Sequence, residues 1–277
     1  MSLDQTGTLT IGQYPISYLD NERTDSRSPA IVLLPGWCAD YRRFDLLIPF
    51  LDASYRVVAI NWRGHGVEPY SVADFGPREQ AQDALAVLDT IGVDLFVPVS
   101  QSHGGWALLQ LLEDAGIERA PSAVVLDWLM RPPTPEFAAS LAGLQDEARW
   151  LDAVRGLLQS WLPGPEMAET RREFEARAFT YDFEMWSRSG RVISRAYAEH
   201  GTPVQAMAAL SAPRPVLHLF SHPTEPGYRD LHAEFARSHP WFSYEFLGGA
   251  THFPSQELPD KLAAHIASFV STSHGHA

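Results

Sequence analysis

The sequence predicts an α/β fold: a mostly parallel sheet with helices on both faces and a helical cap inserted past its middle. Three observations carry this. Short runs of continuous apolar residues alternate with stretches of helical spacing, as strands buried on both faces alternate with their crossover helices. One such run, residues 95–99, leads into Ser100-Gln101-Ser102-His103-Gly104-Gly105-Trp106: a strand, a tight turn with a serine at its apex, and a helix. From residue 131 to about 207 the alternation stops, and helical spacing continues without a clear buried strand. The 277 residues, 45% hydrophobic, suffice for one large core with an insertion and need no cross-links.

Residues 8–19 alternate imperfectly and predict an opening hairpin. Residues 30–34 are apolar throughout, a strand buried on both faces, and end in Pro35-Gly36-Trp37-Cys38. Residues 55–61 repeat the pattern and run into Trp62-Arg63-Gly64-His65-Gly66. Ala81, Ala84, Leu85 and Leu88 space a helix over 80–91. The serine turn and a helix over 106–112 follow. Residues 123–126 predict a buried strand ending at Asp127, and 216–221 and 244–247 two more. A last helix over 259–270 carries the stripe Leu262, Ile266, Phe269 and Val270. Residues 1–130 and 208–277 would form the core domain, and 131–207 the cap. The cap holds Pro132, Pro133, Pro135 and Pro163, with aromatics from Trp150 to Trp186. Over the C-terminal strand ends, where open α/β sheets bind ligands, those aromatics would wall a cavity. Residues 271–277 are expected to fray, leaving His274 and His276 as tail histidines rather than metal ligands.

Composition excludes several functions. The net charge of −13 argues against nucleic acid and anionic membrane as partners. No run is long and apolar enough to span a bilayer, and the first residues lack a basic, apolar leader, so a cytoplasmic protein is expected. Cys38 is the single cysteine, which excludes an internal disulfide. No spacing predicts a metal site, a phosphate loop or a dinucleotide fingerprint.

The serine turn is the nucleophile elbow of an α/β-hydrolase fold. Its usual Gly-x-Ser-x-Gly is broken, because Ser100 stands at the first glycine. Whether Ser102 attacks is therefore open. Ser102, Asp127 and His252 follow the chain order of that fold, with His252 closing Gly248-Gly249-Ala250-Thr251-His252. The plainer alternatives are a surface-loop histidine and, for Asp127, a helix cap or ion pair. Asp127 comes one strand earlier than the usual acid. The later strand offers only Ser221, Glu225 and Asp230, which are weaker partners. The loop after 30–34 and the amide of His103 would form an oxyanion hole. His103 is expected to act through its backbone, His65 to be structural and His218 to be a satisfied core residue. His222, His232, His239 and His265 have no partner in the pattern. The residues alone leave open a serine hydrolase (an esterase or C–C bond hydrolase) and a non-catalytic ligand-binding module, and the oxyanion hole would serve an enolate-like or alkoxide oxygen as well as acyl transfer.

The ordered motifs LPGWC, NWRGHG, VSQSHGGW, DWLM, WSRSGRVI, PTEP, HPWFSY and GGATHFP narrow this. Together they resemble the cofactor-independent 2,4-dioxygenases of 3-hydroxy-4(1H)-quinolones, over about residues 30–269. The resemblance implies an α/β-hydrolase fold with a helical cap, acting as a monomer on an aromatic N-heterocycle and O2, with no metal or organic cofactor. It implies release of CO and formation of an N-acylanthranilate. The family's His/Asp base falls on His252 and Asp127, and its elbow serine on Ser102, which binds substrate rather than attacking it. Trp37 would contact the heterocycle through its backbone, and His103 through its amide. Trp161 and Trp186 match pocket aromatics. Cys38, Gln101, Leu129, Phe137 and Ile193 complete the substrate contacts implied. Ala39 and Gln101 stand where the quinaldine-cleaving member has histidines. Ala178 replaces a larger cap residue, which would leave room for a longer 2-alkyl chain such as heptyl.

Overall fold

The computed structural model of the chain describes residues 6–24 and 28–274. Eight strands form one sheet: β1 (Thr6–Ile11), β2 (Tyr14–Asp20), β3 (Ala30–Leu34), β4 (Val57–Ile60), β5 (Phe96–Gln101), β6 (Ala123–Leu126), β7 (Val216–Phe220) and β8 (Phe242–Phe246). Their order is β1-β2-β4-β3-β5-β6-β7-β8. β1 and β2 pair antiparallel, as do β2 and β4, and every later pair is parallel. The five strands β3 to β7 are buried at every residue, which is why they read as unbroken apolar runs.

Helices α1 (Ile48–Leu51), α2 (Pro77–Thr90) and α3 (Gly105–Arg119) precede β6. The segment 131–207 carries α4 (Pro135–Leu144), α5 (Trp150–Trp161), α6 (Ala168–Ala178), α7 (Phe183–His200) and most of α8 (Pro203–Ala208). After β7 come α9 (Pro226–Ser238), α10 (Pro254–Glu257) and α11 (Pro259–His274). Two apolar clusters sandwich the sheet, and a third, holding Trp37, Phe75, Trp186 and Phe253, joins the α4–α7 segment to the strand ends. Arg188 on α7 locks that junction. It donates to Asp74 Oδ1 and the Val72 carbonyl, both at 3.2 Å, and lies 4.9 Å from the Phe75 ring centre.

Four expectations need correction. β8 begins two residues earlier than its apolar content implied, because it is the sheet edge and alternates buried with exposed residues. α9 was not expected, although its inner face, Tyr228, Leu231, His232 and Phe235, recurs at helical spacing, with a histidine interrupting the apolar stripe. α11 continues to His274 instead of fraying from 271. His276 and the side chain of His274 lie outside what is described. His218 is a satisfied core residue, and His232 does have partners. His218 Nδ1 and His232 Nε2 lie 2.7 Å apart, and His232 Nδ1 donates to the Tyr228 carbonyl at 2.7 Å.

Burial keeps these histidines neutral, and that sets an acid limit. His65 and His232 are each pulled from 6.5 to about 4 by desolvation. His103 falls to about 3, through burial first and the neighbouring His252 second. Between about pH 6.5 and 4 the unfolded chain therefore binds protons that the folded chain refuses. Stability is complete above 6.5 and declines as the pH falls through that window, at about 1.4 kcal/mol per pH unit for each histidine. Urea midpoints at pH 7.5, 6 and 5 should drop in that order. A midpoint that stays flat would contradict the burial of neutral imidazoles.

Candidate active site

Four non-glycine residues among those described have positive φ, and three of them gather at the strand ends: Cys38 (52°) after β3, Ser102 (52°) after β5 and Asp127 (46°) after β6. Such backbone is costly and marks sites where geometry is imposed. The elbow explains the glycines that remain. A Cβ on Gly104 would collide with the Pro35 carbonyl oxygen, and one on Gly105 with the Trp128 ring. Ser100 meets no such wall; it is a fully buried strand residue paired with Leu34 and Val125.

Asp127 is buried, and its carboxylate is fixed from behind. The Ser221 N–H donates to Oδ2 at 2.8 Å and the His222 N–H to Oδ1 at 3.2 Å. Oδ1 also lies 3.2 Å from His252 Nδ1. A carboxylate only accepts, so Nδ1 carries the ring proton and Nε2 is left as the proton acceptor. Nε2 lies 3.0 Å from Ser102 Oγ. The later strand offers no rival in place: Ser221 serves Asp127 through its backbone, and the Glu225 carboxylate pairs with Arg131 at 2.6 Å.

The loop bearing His252 is held on three sides. Its N–H donates to the Trp161 carbonyl at 2.9 Å, while the Trp161 ring stacks on the imidazole at 5.4 Å. The Gln101 amide donates to the His252 carbonyl at 3.2 Å. Glu257 accepts from the Ala250 N–H at 2.6 Å and from the Thr251 N–H and hydroxyl, both at 2.8 Å. Glu257→Ala should therefore lower turnover by about 10- to 100-fold through misplacement of His252. Steady-state kinetics check this, and a kcat equal to wild type would refute the positioning role.

Two further histidines shape the site. His65 Nδ1 donates to the Arg63 carbonyl at 3.0 Å, so its Nε2 accepts the Cys38 N–H at 3.1 Å. This neutral imidazole fixes the loop after β3. His103 does more than offer its amide: Trp128 Nε1 donates to its Nδ1 at 3.2 Å, and its ring stacks on Phe137 at 5.3 Å. Burial raises the Cys38 thiol well above its usual range, which keeps it protonated.

Above the strand ends lies a cavity with a largely apolar lining. It brings together His252, Ser102, Trp37, Cys38, Gln101 and His103 from the sheet side. Phe137, Trp161, Trp186 and Ile193 face it from the helical segment, and Asp127 stands behind His252. Leu129 is not among the cavity walls; it packs against the core, and its carbonyl accepts the Tyr197 hydroxyl at 2.9 Å. Ala178 and Ala39 both face the cavity. Phe174, one of the aromatics expected to wall the cavity, also faces it, as do Leu141 and Leu157, which were not singled out in sequence. Arg43 was missed as well, and its charged type gave no signal of an inward position.

Among the described residues no group of three or more His, Cys, Asp or Glu is placed to hold a metal ion, and no helix is long and apolar enough to cross a membrane.

Comparison with known proteins gives these residues a family. The chain is 52% identical over 275 residues to the 2-heptyl-3-hydroxy-4-quinolone dioxygenase AqdC1 of Rhodococcus erythropolis, covering 99% of this chain and 98% of that protein. The chain belongs to the hydroxyquinolone dioxygenases. Another member, the 1H-3-hydroxy-4-oxoquinoline 2,4-dioxygenase of Pseudomonas putida, is 34% identical over 97% of this chain and 98% of its own length. A solved structure of an AqdC variant, described as bound to its substrate and as a basis for recognition and ring cleavage of the Pseudomonas quinolone signal, superposes with a TM-score of 0.92. It shares 41% identity over 97% of this chain and 100% of that one. The wider alpha/beta hydrolase family matches residues 31–265, so this dioxygenase family member has the α/β-hydrolase fold that its elbow implies.

Proposed function

We propose that the chain is a cofactor-independent 2,4-dioxygenase. It opens the heterocycle of 2-alkyl-3-hydroxy-4(1H)-quinolones with O2, releasing CO and an N-acylanthranilate, and works as a cytoplasmic monomer. One observation carries this reading: a proton-accepting His252 Nε2, backed by buried Asp127, opens onto an apolar cavity in a chain 52% identical to a 2-heptyl-3-hydroxy-4-quinolone dioxygenase.

The chemistry needs little from the protein. Triplet O2 reacts slowly with closed-shell molecules, but an electron-rich anion can reduce it. His252 takes the proton of the 3-hydroxyl, and Asp127 stabilises the imidazolium that results. The amides of Trp37 and His103 stabilise charge on the substrate oxygens, and Ser102 hydrogen-bonds the substrate. A peroxide formed at C2 closes onto C4. The bridged intermediate then loses C3 as CO, so both atoms of O2 end in the products. Trp37, Trp161 and Trp186 suit a flat bicycle, and Leu141, Leu157 and Ile193 around Ala178 suit an alkyl chain.

Chelator-treated protein mixed with the 2-heptyl substrate in air should consume O2 and release an equal amount of CO. Absence of CO from both the 2-heptyl and the 2-methyl compound overturns the proposal. Turnover of the methyl compound equal to or above that of the heptyl compound overturns the long-chain preference.

The 3.0 Å contact of Ser102 Oγ with His252 Nε2 also favours a second reading, a serine hydrolase. A fluorophosphonate would then label Ser102; the dioxygenase reading expects no stoichiometric labelling.

A further inference from the structure

Arg43 is a cation on the wall of a largely apolar cavity, and among the described residues no carboxylate forms an ion pair with its guanidinium. It lies in the 3-10 turn Tyr41–Phe44, just after the Trp37–Cys38 loop. Its guanidinium carbon sits 4.1 Å from the ring centre of Phe174 on α6 and 4.6 Å from that of Phe253, the residue after His252. All three side chains face the cavity. Nη1 is buried and has no hydrogen-bond partner. The nearest carboxylate on its own turn, Asp40, is committed to Arg42, with bonds of 2.8 and 2.5 Å. The other charged or titratable groups that face it are Arg42 itself and, from the cap, Arg177 and Tyr181. His252, neutral His103 and protonated Cys38 are the remaining ionisable groups on the cavity.

The position is built rather than accidental. Ser255 Oγ and Gln256 Nε2 donate to the Arg43 carbonyl at 2.9 and 2.7 Å, tying the turn to α10. The two phenyl rings hold the guanidinium in place by cation–π contact. Burial pulls Arg43 down to about 10, which leaves it charged at neutral pH. Arg43 as a whole is half-buried, and a charge at a partly desolvated site acts on charges nearby more strongly than one in bulk water. The cost of desolvating it is offset when the cavity's occupant is negative.

We infer that Arg43 supplies the positive charge that favours the ionised 3-hydroxyquinolone over its neutral form in this cavity. The inference rests on the proposed dioxygenase reading, in which the substrate reacts as its anion. Arg43 acts there through its field, alongside the proton transfer to His252. The same charge favours retention of the carboxylate product over an uncharged analogue.

The test is an anaerobic spectrophotometric titration of bound 2-heptyl-3-hydroxy-4-quinolone, whose anion absorbs at longer wavelength. Wild type, Arg43→Met and Arg43→Lys are compared. In Arg43→Met the pH at which the bound substrate ionises should rise by about one unit or more, with kcat/KM lower by about tenfold at neutral pH. Arg43→Lys should recover most of both. Affinity for the N-acylanthranilate should fall in Arg43→Met, while affinity for its methyl ester should not. An unchanged ionisation midpoint in Arg43→Met overturns the inference even though wild type remains active. If Arg43→Met does not fold, Arg43→Gln is read by the same titration. A wild type that takes up no O2 with this substrate overturns the dioxygenase reading instead.

Discussion

His252→Ala is expected to lower turnover of the hydroxyquinolone by about 1,000-fold, the usual weight of a positioned general base. Ser102→Ala should cost only about tenfold, the worth of one hydrogen bond to substrate. The ratio matters more than either number. His252 Nε2 can take a proton from Ser102 or from a substrate hydroxyl, since one ring nitrogen serves both. In a serine hydrolase the two substitutions are equally damaging, because nucleophile and base act as one unit. In the proposed dioxygenase only the base is indispensable. Oxygen-uptake rates of the two variants decide between them, and equal losses would return Ser102 to the role of nucleophile.

The second large effect is expected at Asp127. Its two oxygens accept from three N–H groups: the amides of Ser221 and His222 and the His252 ring. Asp127→Asn replaces one oxygen with a donor, so an N–H must face another N–H at one of these contacts. If the amide oxygen stays with the backbone, the His252 proton loses its acceptor and Nε2 loses its basic tautomer. By analogy with other His/Asp pairs, kcat should fall by about 10³- to 10⁴-fold. The loss should ease at higher pH, as alkaline conditions ionise more of the substrate without help. A pH–rate profile of Asp127→Asn checks this, and a variant with wild-type kcat at pH 7 would remove Asp127 from the reaction.

Much of this was legible before any coordinates. Strands β3, β4, β5, β6 and β7 announce themselves because both their faces are buried, which leaves no room for polar residues. Ser102, Asp127 and His252 could be picked out because the fold puts functional groups at strand ends, and each follows or ends such a run. Edge and surface elements were harder. β8 alternates instead of running apolar throughout, and the inner face of α9 mixes Leu231 and Phe235 with the polar-tipped Tyr228 and His232, so both signals are weaker than those of the central strands. Leu129 misled for a related reason: it directly follows Asp127 and Trp128, yet the chain turns it away toward the core.

What the sequence by itself determined is the fold and the family, and it picked out His252 as the candidate base and Asp127 as its candidate partner, since these depend on local patterns and on motifs in a set order. Only the tertiary structure decided what surrounds them. Asp127 and His252 are 125 residues apart, and their 3.2 Å contact exists only because β6 and the loop after β8 end at the same level of the sheet. The support of His252 by Trp161, Gln101 and Glu257 comes from three separate elements. The inward position of Arg43 is likewise invisible in sequence. An arginine between Arg42 and Phe44 reads as surface, and only the packing of Phe174 and Phe253 turns it toward the cavity. Pairing and burial are properties of neighbours in space, and a linear pattern carries them only when those neighbours are also near in the chain.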